Sequence, residues 1–230
     1  MSVPRTDRGR ALLALLLVAP VPSLGVLAAM IIARGPVGQA VFLAAKVWLI
    51  AVPAAWYLVV EKGMPSWSPP IRGGLGAGAL SGITIAAGVI AGAWLLGVHH
   101  MDTAPLLEQS REMGLASPLP YLGGALAWTL INSLMEEYLY RWFIFRQCEN
   151  LFTDVPAIIL SAAIFTIHHI IAVSRYLDPA LTVLASLGVF AGGVLWAWLY
   201  NRYRSIWPGW ISHVLADVAV FALGWRLLFG

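Results

Sequence analysis

The feature that most constrains this chain is a series of apolar stretches, each long enough to cross a lipid bilayer. They cover residues 11–33, 37–60, 75–97, 120–145, 155–174, 180–200 and 208–228. A membrane-spanning helix needs about 20 mostly apolar residues. Only 11% of the residues are charged, so polar side chains are too few to cover a soluble domain, which has roughly 25%. The sequence therefore predicts an all-α, polytopic helical membrane protein with about seven (six to eight) transmembrane helices.

Composition also excludes other classes of protein. The 11 Trp, 7 Tyr and 8 Phe are too many for a disordered chain. Cys148 is the single cysteine, which excludes an internal disulfide and a cysteine-based metal cluster. A net charge of +3 without a long basic run predicts no nucleic-acid partner. We interpret residues 1–230 as one membrane-embedded domain with a motif-bearing core at about 120–228; the helices within 11–97 have no assigned role.

The distribution of basic residues predicts how the chain is oriented, since cytoplasmic loops carry an excess of Lys and Arg. With the N-terminus inside, the cytoplasmic side holds Arg5, Arg8, Arg10, Lys62, Arg72, Arg141, Arg146, Arg202 and Arg204. The opposite side holds Arg34, Arg111, Arg175 and Arg226, and Lys46 falls inside the second stretch. We therefore expect a multi-pass protein of the cell membrane with a cytoplasmic N-terminus. The preference for Arg over Lys suggests a GC-rich bacterium and so the inner membrane.

Two further stretches predict local structure. Small residues four apart in the third stretch, at Gly74, Gly78 and Gly82 and again at Gly88 and Gly92, allow helix backbones to approach closely. We favour packing within the chain over dimerisation. In the long loop at 98–119, Asp102 or Thr103 is expected to cap a short surface helix that ends at Gly114.

Ionisable side chains inside the apolar stretches are the strongest functional signal. A charged residue at the bilayer centre costs about 2.5–3.5 kcal/mol, and such residues usually face the bundle interior and serve function. Several of them gather in three stretches, which favours a buried site over a polar network that only joins helices. The residues are Asn132, Glu136, Glu137 and Arg141 in the fourth, His168 and His169 in the fifth, and His213 and Asp217 in the seventh.

Helical geometry separates the roles of the two glutamates. Glu137 and Arg141 are four residues apart and are expected to form an ion pair on one face. Successive residues turn by about 100°, so Glu136 and Glu137 are not expected to point at one spot. Glu136 instead shares a face with Asn132 and Tyr140. This predicts Glu136 as the reactive carboxylate, suited to general-base catalysis, and Glu137 as its brace.

The histidines are less clearly resolved. His213 and Asp217 are four residues apart and share a face, whereas His168 and His169 differ by about 100° and geometry does not choose between them. The chain contains no H-E-x-x-H zinc motif and no G-x-S-x-G nucleophile elbow. No Ser lies in the glycine setting that a membrane serine protease needs, and an aspartyl dyad is excluded because only one Asp, Asp217, falls within a likely core.

Three motifs in order resemble those of one family. They are E-E-x-x-x-R at 136–141, F-x-x-x-H at 165–169 and H-x-x-x-D at 213–217. The chain is similar, over about 125–220, to the CPBP family of CAAX-prenyl-protease and bacteriocin-processing intramembrane proteases, also called the Abi family. The second motif selects His169 over His168.

The resemblance implies a glutamate-dependent intramembrane endopeptidase that uses no cofactor. Glu136 and His169 would hold and deprotonate a water molecule, and His213 and Asp217 would stabilise the oxyanion. Many family members carry Asn where this chain has Asp217, so Asp217 must be protonated or must instead orient His213. The supporting residues would be Glu137, Arg141, Asn132 and Phe165, with His168 as the alternative to His169.

Two other hypotheses stay open. A metal-dependent protease would use Glu136, His169, His213 and Asp217 as zinc ligands, and sensitivity to chelators would identify it. A proton-linked transporter, or a non-catalytic immunity or scaffold protein, would also bury carboxylates and histidines, although the lack of an internal repeat argues against transport. The expected partners are the lipid bilayer and a hydrophobic or membrane-anchored peptide or protein substrate. The oligomeric state and the natural substrate stay open.

Overall fold

The architecture is entirely helical over the residues that the structure describes. The structure is a computed structural model that describes residues 7–33 and 35–230; it is 82% helical and contains no strand in those ranges. The all-α prediction is therefore confirmed. Arg5 and Arg34, which entered the orientation count, lie outside the described residues.

Each of the seven predicted stretches lies in a helix, and the predicted surface helix is also present. Within the described residues, six helices are long and apolar enough to cross a membrane: α1 (Arg8–Ile32), α2 (Pro36–Val60), α3 (Leu75–Leu95), α6 (Asp154–Val173), α7 (Pro179–Tyr203) and α8 (Ile206–Phe229). Between them lie the short α4 (Ala104–Glu112) and the long helical run α5 (residues 118–151). Charged residues in the middle of α5, including Glu136 and Arg141, set its composition apart from the other six. The prediction of a multi-pass helical membrane protein is confirmed.

Prolines and capping residues set the helix boundaries. Proline fixes a helical φ and lacks an N–H group, so it suits the first turn of a helix. Pro36, Pro118 and Pro179 occupy this position in α2, α5 and α7. Asp178 caps α7, because its carboxylate accepts hydrogen bonds from the amides of Ala180 and Leu181 at 2.8 and 3.1 Å.

Local irregularities follow the predicted signals. Regular α-helix in α1 stops at Val18 and resumes at Val21, around Pro20, because proline lacks the N–H group of the helical hydrogen bond. Asp102 caps α4 by accepting a hydrogen bond from the Ala104 amide at 2.9 Å, and Gly114 follows α4 with φ +73°. Two π-helical segments of α5, Trp128–Asn132 and Glu137–Phe145, flank Glu136, and π-bulges are frequent at functional sites.

Close backbone contact joins α3 to α8. A Cβ atom built at Gly78 would lie 2.2 Å from the Pro208 carbonyl oxygen, and one at Gly82 would lie 2.8 Å from the Ser212 Cα. The predicted small-residue packing within the chain is therefore confirmed for these two glycines. Gly88 and Gly92 meet no atom within 4 Å. This contact holds α8, which carries His213 and Asp217, against the N-terminal half of the chain.

One residue of the orientation count was assigned wrongly. Arg141 was counted with the cytoplasmic basic residues, but its side chain is fully buried inside α5 and ion-paired with Glu137. A buried arginine that neutralises a neighbouring carboxylate does not report on loop charge. The remaining cytoplasmic set still outnumbers the opposite one.

Candidate active site

Three helices converge on the carboxylate of Glu136, which is only 7% exposed. From within α5, the Asn132 side-chain amide donates a hydrogen bond to Glu136 Oε1 at 2.9 Å. From α6, His168 Nε2 lies 3.9 Å from the same oxygen. From α8, His213 Nε2 lies 3.7 Å from Glu136 Oε2. The face shared by Asn132 and Glu136 was predicted, and the structure confirms that contact.

Both histidines of α6 reach Glu136. One ligand atom from each of Glu136, His168 and His169 lies within 4.8 Å of the others. His169 Nδ1 lies 3.0 Å from the Phe165 carbonyl oxygen, and a carbonyl only accepts, so Nδ1 carries the proton and Nε2 of a neutral ring keeps a lone pair. His168 Nδ1 lies 3.0 Å from the Tyr140 hydroxyl. When that hydroxyl donates, the proton of His168 sits on Nε2, the nitrogen nearer to Glu136.

His213 lies between two carboxylates. Its Nδ1 is 3.1 Å from Glu137 Oε1, while its Nε2 is 3.7 Å from Glu136 Oε2 and 3.8 Å from Asp217 Oδ1. Glu136 and Glu137, which were not expected to point at one spot, approach opposite nitrogens of this ring. An imidazole has a nitrogen on each of two edges, so two side chains that diverge on one helix can still flank one ring. The predicted proximity of His213 and Asp217 is confirmed.

Arg141 neutralises Glu137 in a fully buried pair. Its Nε lies 3.5 Å from Glu137 Oε2, and both side chains are inaccessible to solvent, which confirms the predicted ion pair. The guanidinium has no hydrogen-bond partner among the described side chains. Instead the Arg141 Cζ atom lies 4.7, 5.5 and 5.9 Å from the ring centroids of Phe165, Trp196 and Tyr140. Aromatic faces attract a cation, so these rings hold the charge beside Glu137.

Trp196 of α7 orients the His213 ring and was not predicted. The two rings stack with centroids 4.0 Å apart and planes 16° apart. The Trp196 indole N–H donates to Ser212 Oγ at 2.9 Å, and the Ser81 hydroxyl donates to the same oxygen at 3.1 Å. The middle of α7 contains no Asp, Glu, Lys, Arg or His. The search for ionisable residues inside apolar stretches, which found the other site residues, therefore gave no candidate in α7.

Lys46 is a second residue whose place in the site was not predicted. Its ammonium group on α2 donates a hydrogen bond to the Asn132 side-chain oxygen. Its position inside an apolar stretch was the same kind of signal that identified Glu136.

The donor set at Glu136 is compatible in type with a metal ion. A carboxylate and two imidazoles are ligands that catalytic zinc takes. Among the described residues the grouped ligand atoms belong to Glu136, His168 and His169. This group differs from the predicted zinc set, because His168 joins it, whereas His213 and Asp217 lie on the other side of the Glu136 carboxylate.

Comparison with known families identifies the stretch that carries this site. Residues 118–219 match the model of the family described as Type II CAAX prenyl endopeptidase Rce1-like. The chain carries an Rce1-like endopeptidase domain. The domain runs from the start of α5 into α8 and contains every predicted site residue. The match indicates a CAAX-type membrane peptidase and implies a peptide substrate in the bilayer, in agreement with the CPBP resemblance. Neither a curated protein nor a solved structure matches the chain significantly.

Proposed function

We propose that the protein is an intramembrane glutamic endopeptidase, in which Glu136 activates a water molecule that attacks the scissile carbonyl of a hydrophobic or membrane-anchored peptide. The observation that carries this proposal is the convergence of α5, α6 and α8 on the buried Glu136 carboxylate, inside the stretch that matches the Rce1-like family. A carboxylate placed among hydrogen-bond donors and a histidine lone pair is suited to general-base catalysis.

The hydrogen bonds around Glu136 support a division of labour between its oxygens. Asn132 donates to Oε1 and His168 approaches the same oxygen, whereas His213 Nε2 lies 3.7 Å from Oε2, beyond hydrogen-bond distance, so Oε2 can take a proton from water. The Nε2 lone pair of His169 accepts the second hydrogen of that water, since its Nδ1–H is bonded to the Phe165 carbonyl. The water then presents its own lone pair to the substrate carbonyl. The proton held by Glu136 passes to the leaving amine.

His213 is the proposed donor to the oxyanion. Glu137 fixes its Nδ1, and a ring that carries both protons donates from Nε2 to the negative charge that develops on the carbonyl oxygen. Asp217 lies 3.8 Å from this Nε2. An ionised Asp217 would repel an oxyanion, so we assign it to the orientation of His213 or, when protonated, to direct donation.

The remaining features of the chain fit a protein embedded in a bacterial inner membrane. We propose that residues 1–230 form one membrane-embedded domain with a cytoplasmic N-terminus, supported by the excess of basic residues on the side that includes Arg8, Arg10 and Lys62.

The test is cleavage by the purified protein in detergent. Wild type and Glu136→Ala are incubated with a library of hydrophobic peptides, and the products are identified by mass spectrometry. We expect wild type to cleave and Glu136→Ala to leave the peptides intact while eluting from size exclusion as wild type does. Cleavage by folded Glu136→Ala would contradict the assigned base.

A metal-dependent protease is the second candidate, favoured by the Glu136, His168 and His169 group. Wild type is dialysed against a chelator, assayed on the cleaved peptide and then supplied with Zn²⁺. The proposed metal-free mechanism predicts unchanged activity throughout. Loss with the chelator and recovery with Zn²⁺ would establish the metal-dependent mechanism instead.

A further inference from the structure

Lys46 lies deep in a membrane-spanning helix, where a charged side chain is unfavourable. It is placed ten residues after the start and fourteen before the end of α2 (Pro36–Val60). At about 1.5 Å of rise per residue this is roughly 15 Å from the nearer end. Lysines near helix ends extend toward the interface, but Lys46 instead turns to the interior of the bundle. Its ammonium lies 5.1 Å from the Phe42 ring centroid and donates a hydrogen bond to Asn132.

The hydrogen bonds of Asn132 connect Lys46 to Glu136. An ammonium group only donates hydrogen bonds, and an ionised carboxylate only accepts them. Between the two, Asn132 has a single orientation that satisfies both: its oxygen accepts from Lys46 and its NH₂ donates to Glu136 Oε1 at 2.9 Å. A reversed amide would direct its oxygen at the carboxylate and its NH₂ at the ammonium. Lys46 therefore determines which end of Asn132 meets Glu136.

We propose that Lys46 is a positioning residue of the active site, which acts through Asn132 to hold the Glu136 carboxylate in its reactive orientation. The inference rests on the proposed function of Glu136. It gives the N-terminal helices, which lie outside the Rce1-like match at 118–219, a part in the reaction. The Lys46 ammonium also balances the negative charge of the Glu136 carboxylate. The attraction between opposite charges is stronger in apolar surroundings than in water.

The effect of losing Lys46 belongs to kcat and not to KM. Lys46 contacts Asn132, and Asn132 contacts Glu136 Oε1, whereas His213, the proposed oxyanion donor, approaches the other oxygen, Oε2. Loss of an interaction that serves only the transition state lowers kcat and kcat/KM together. Since hydrogen bonds to charged groups are the stronger kind, we expect a decrease of about 10- to 100-fold in kcat for Lys46→Met.

A double-mutant cycle tests whether Lys46 acts through Asn132. We measure kcat and KM of wild type, Lys46→Met, Asn132→Ala and the double variant on a peptide that wild type cleaves. If Lys46 acts through the amide, Lys46→Met lowers kcat in the wild-type background but has little further effect once Asn132 is Ala. Additive losses would overturn the relay, and a wild-type kcat for Lys46→Met would overturn the inference altogether.

Controls separate this role from folding and from the proposed function. Lys62→Met removes the only other lysine, which is exposed after α2, and is expected to leave kcat unchanged. Lys46→Arg keeps a donor-only cation and is expected to recover part of the kcat lost in Lys46→Met. All variants are assayed as the monodisperse fraction from size exclusion. If wild type cleaves and Glu136→Ala does not, a normal kcat for Lys46→Met refutes the role of Lys46 alone; if Glu136→Ala cleaves, the proposed function has failed.

Discussion

Buried charges in this site occur with partners, and the partner determines what each charge can do. Glu137 is held by Arg141 on one oxygen and by His213 on the other, so it is occupied as a brace. Glu136 instead accepts a hydrogen bond from the neutral Asn132 amide and lies near the imidazoles of His168 and His213, which leaves its carboxylate available for chemistry. Two adjacent glutamates therefore differ in role because their surroundings differ.

Removal of Arg141 is expected to destabilise the protein strongly. Arg141→Leu would leave Glu137 buried and unpaired, and breaking a buried pair from one side costs about 3–5 kcal/mol. The matched control is Arg204→Gln, which breaks a pair with Glu149 at 2.7 Å whose arginine is 41% exposed. Exposed pairs contribute about 0–1 kcal/mol. The free energy of unfolding in mixed detergent micelles measures both, and equal losses would contradict the assigned role of Arg141.

Single side chains were predictable from the sequence where the partner lies on the same helix. The Glu137–Arg141 and Asn132–Glu136 contacts both follow from a spacing of four residues. Contacts between different helices were not predictable, because periodicity shows which face of a helix a residue lies on but not which neighbouring helix packs against that face. Lys46 with Asn132 and Glu137 with His213 are of this second kind.

Among the helices, α3 and α8 have the closest backbone approach described above. Gly78→Ala would place a methyl group 2.2 Å from the Pro208 carbonyl oxygen, so the helices must separate. Overpacking of this kind costs about 1–3 kcal/mol. Because α8 carries His213, cleavage should fall together with stability.

Gly88→Ala is the control within the same helix, since nothing lies within 4 Å of that glycine. Thermal unfolding of the two variants in one detergent compares them directly. A lower Tm for Gly78→Ala and an unchanged Tm for Gly88→Ala are expected. Equal Tm values would mean that α3 and α8 are not in the close contact described.

Helix positions could be predicted closely, whereas the π-helical segments of α5 could not. The predicted stretch 180–200 corresponds to Pro179–Tyr203, and 155–174 to Asp154–Val173, because hydropathy and proline signals mark both ends. The π-helical segment Glu137–Phe145 has no such sequence signal. The segment lies where α5 packs against α6, α7 and α8, and only the assembled bundle provides those contacts.

For the whole molecule, the site unites the Rce1-like domain with the helices that precede it. The domain at 118–219 supplies Glu136 and the histidines, while α2 supplies Lys46 and α3 supplies Ser81 beside Ser212. The predicted division into a motif-bearing core and N-terminal helices of unassigned role follows from where the sequence motifs lie. The contacts that surround the reactive carboxylate extend beyond that core.

The most direct test of the account is the rate of peptide cleavage by Glu136→Gln compared with Glu137→Gln. Both changes keep the shape of the side chain and remove one carboxylate. A general base contributes about 10²–10⁴-fold, so Glu136→Gln should lose cleavage by at least that factor, whereas Glu137→Gln should keep measurable activity because it only braces His213. A nearly normal rate for folded Glu136→Gln, or a larger loss in Glu137→Gln, would contradict the assignment of Glu136 as the base.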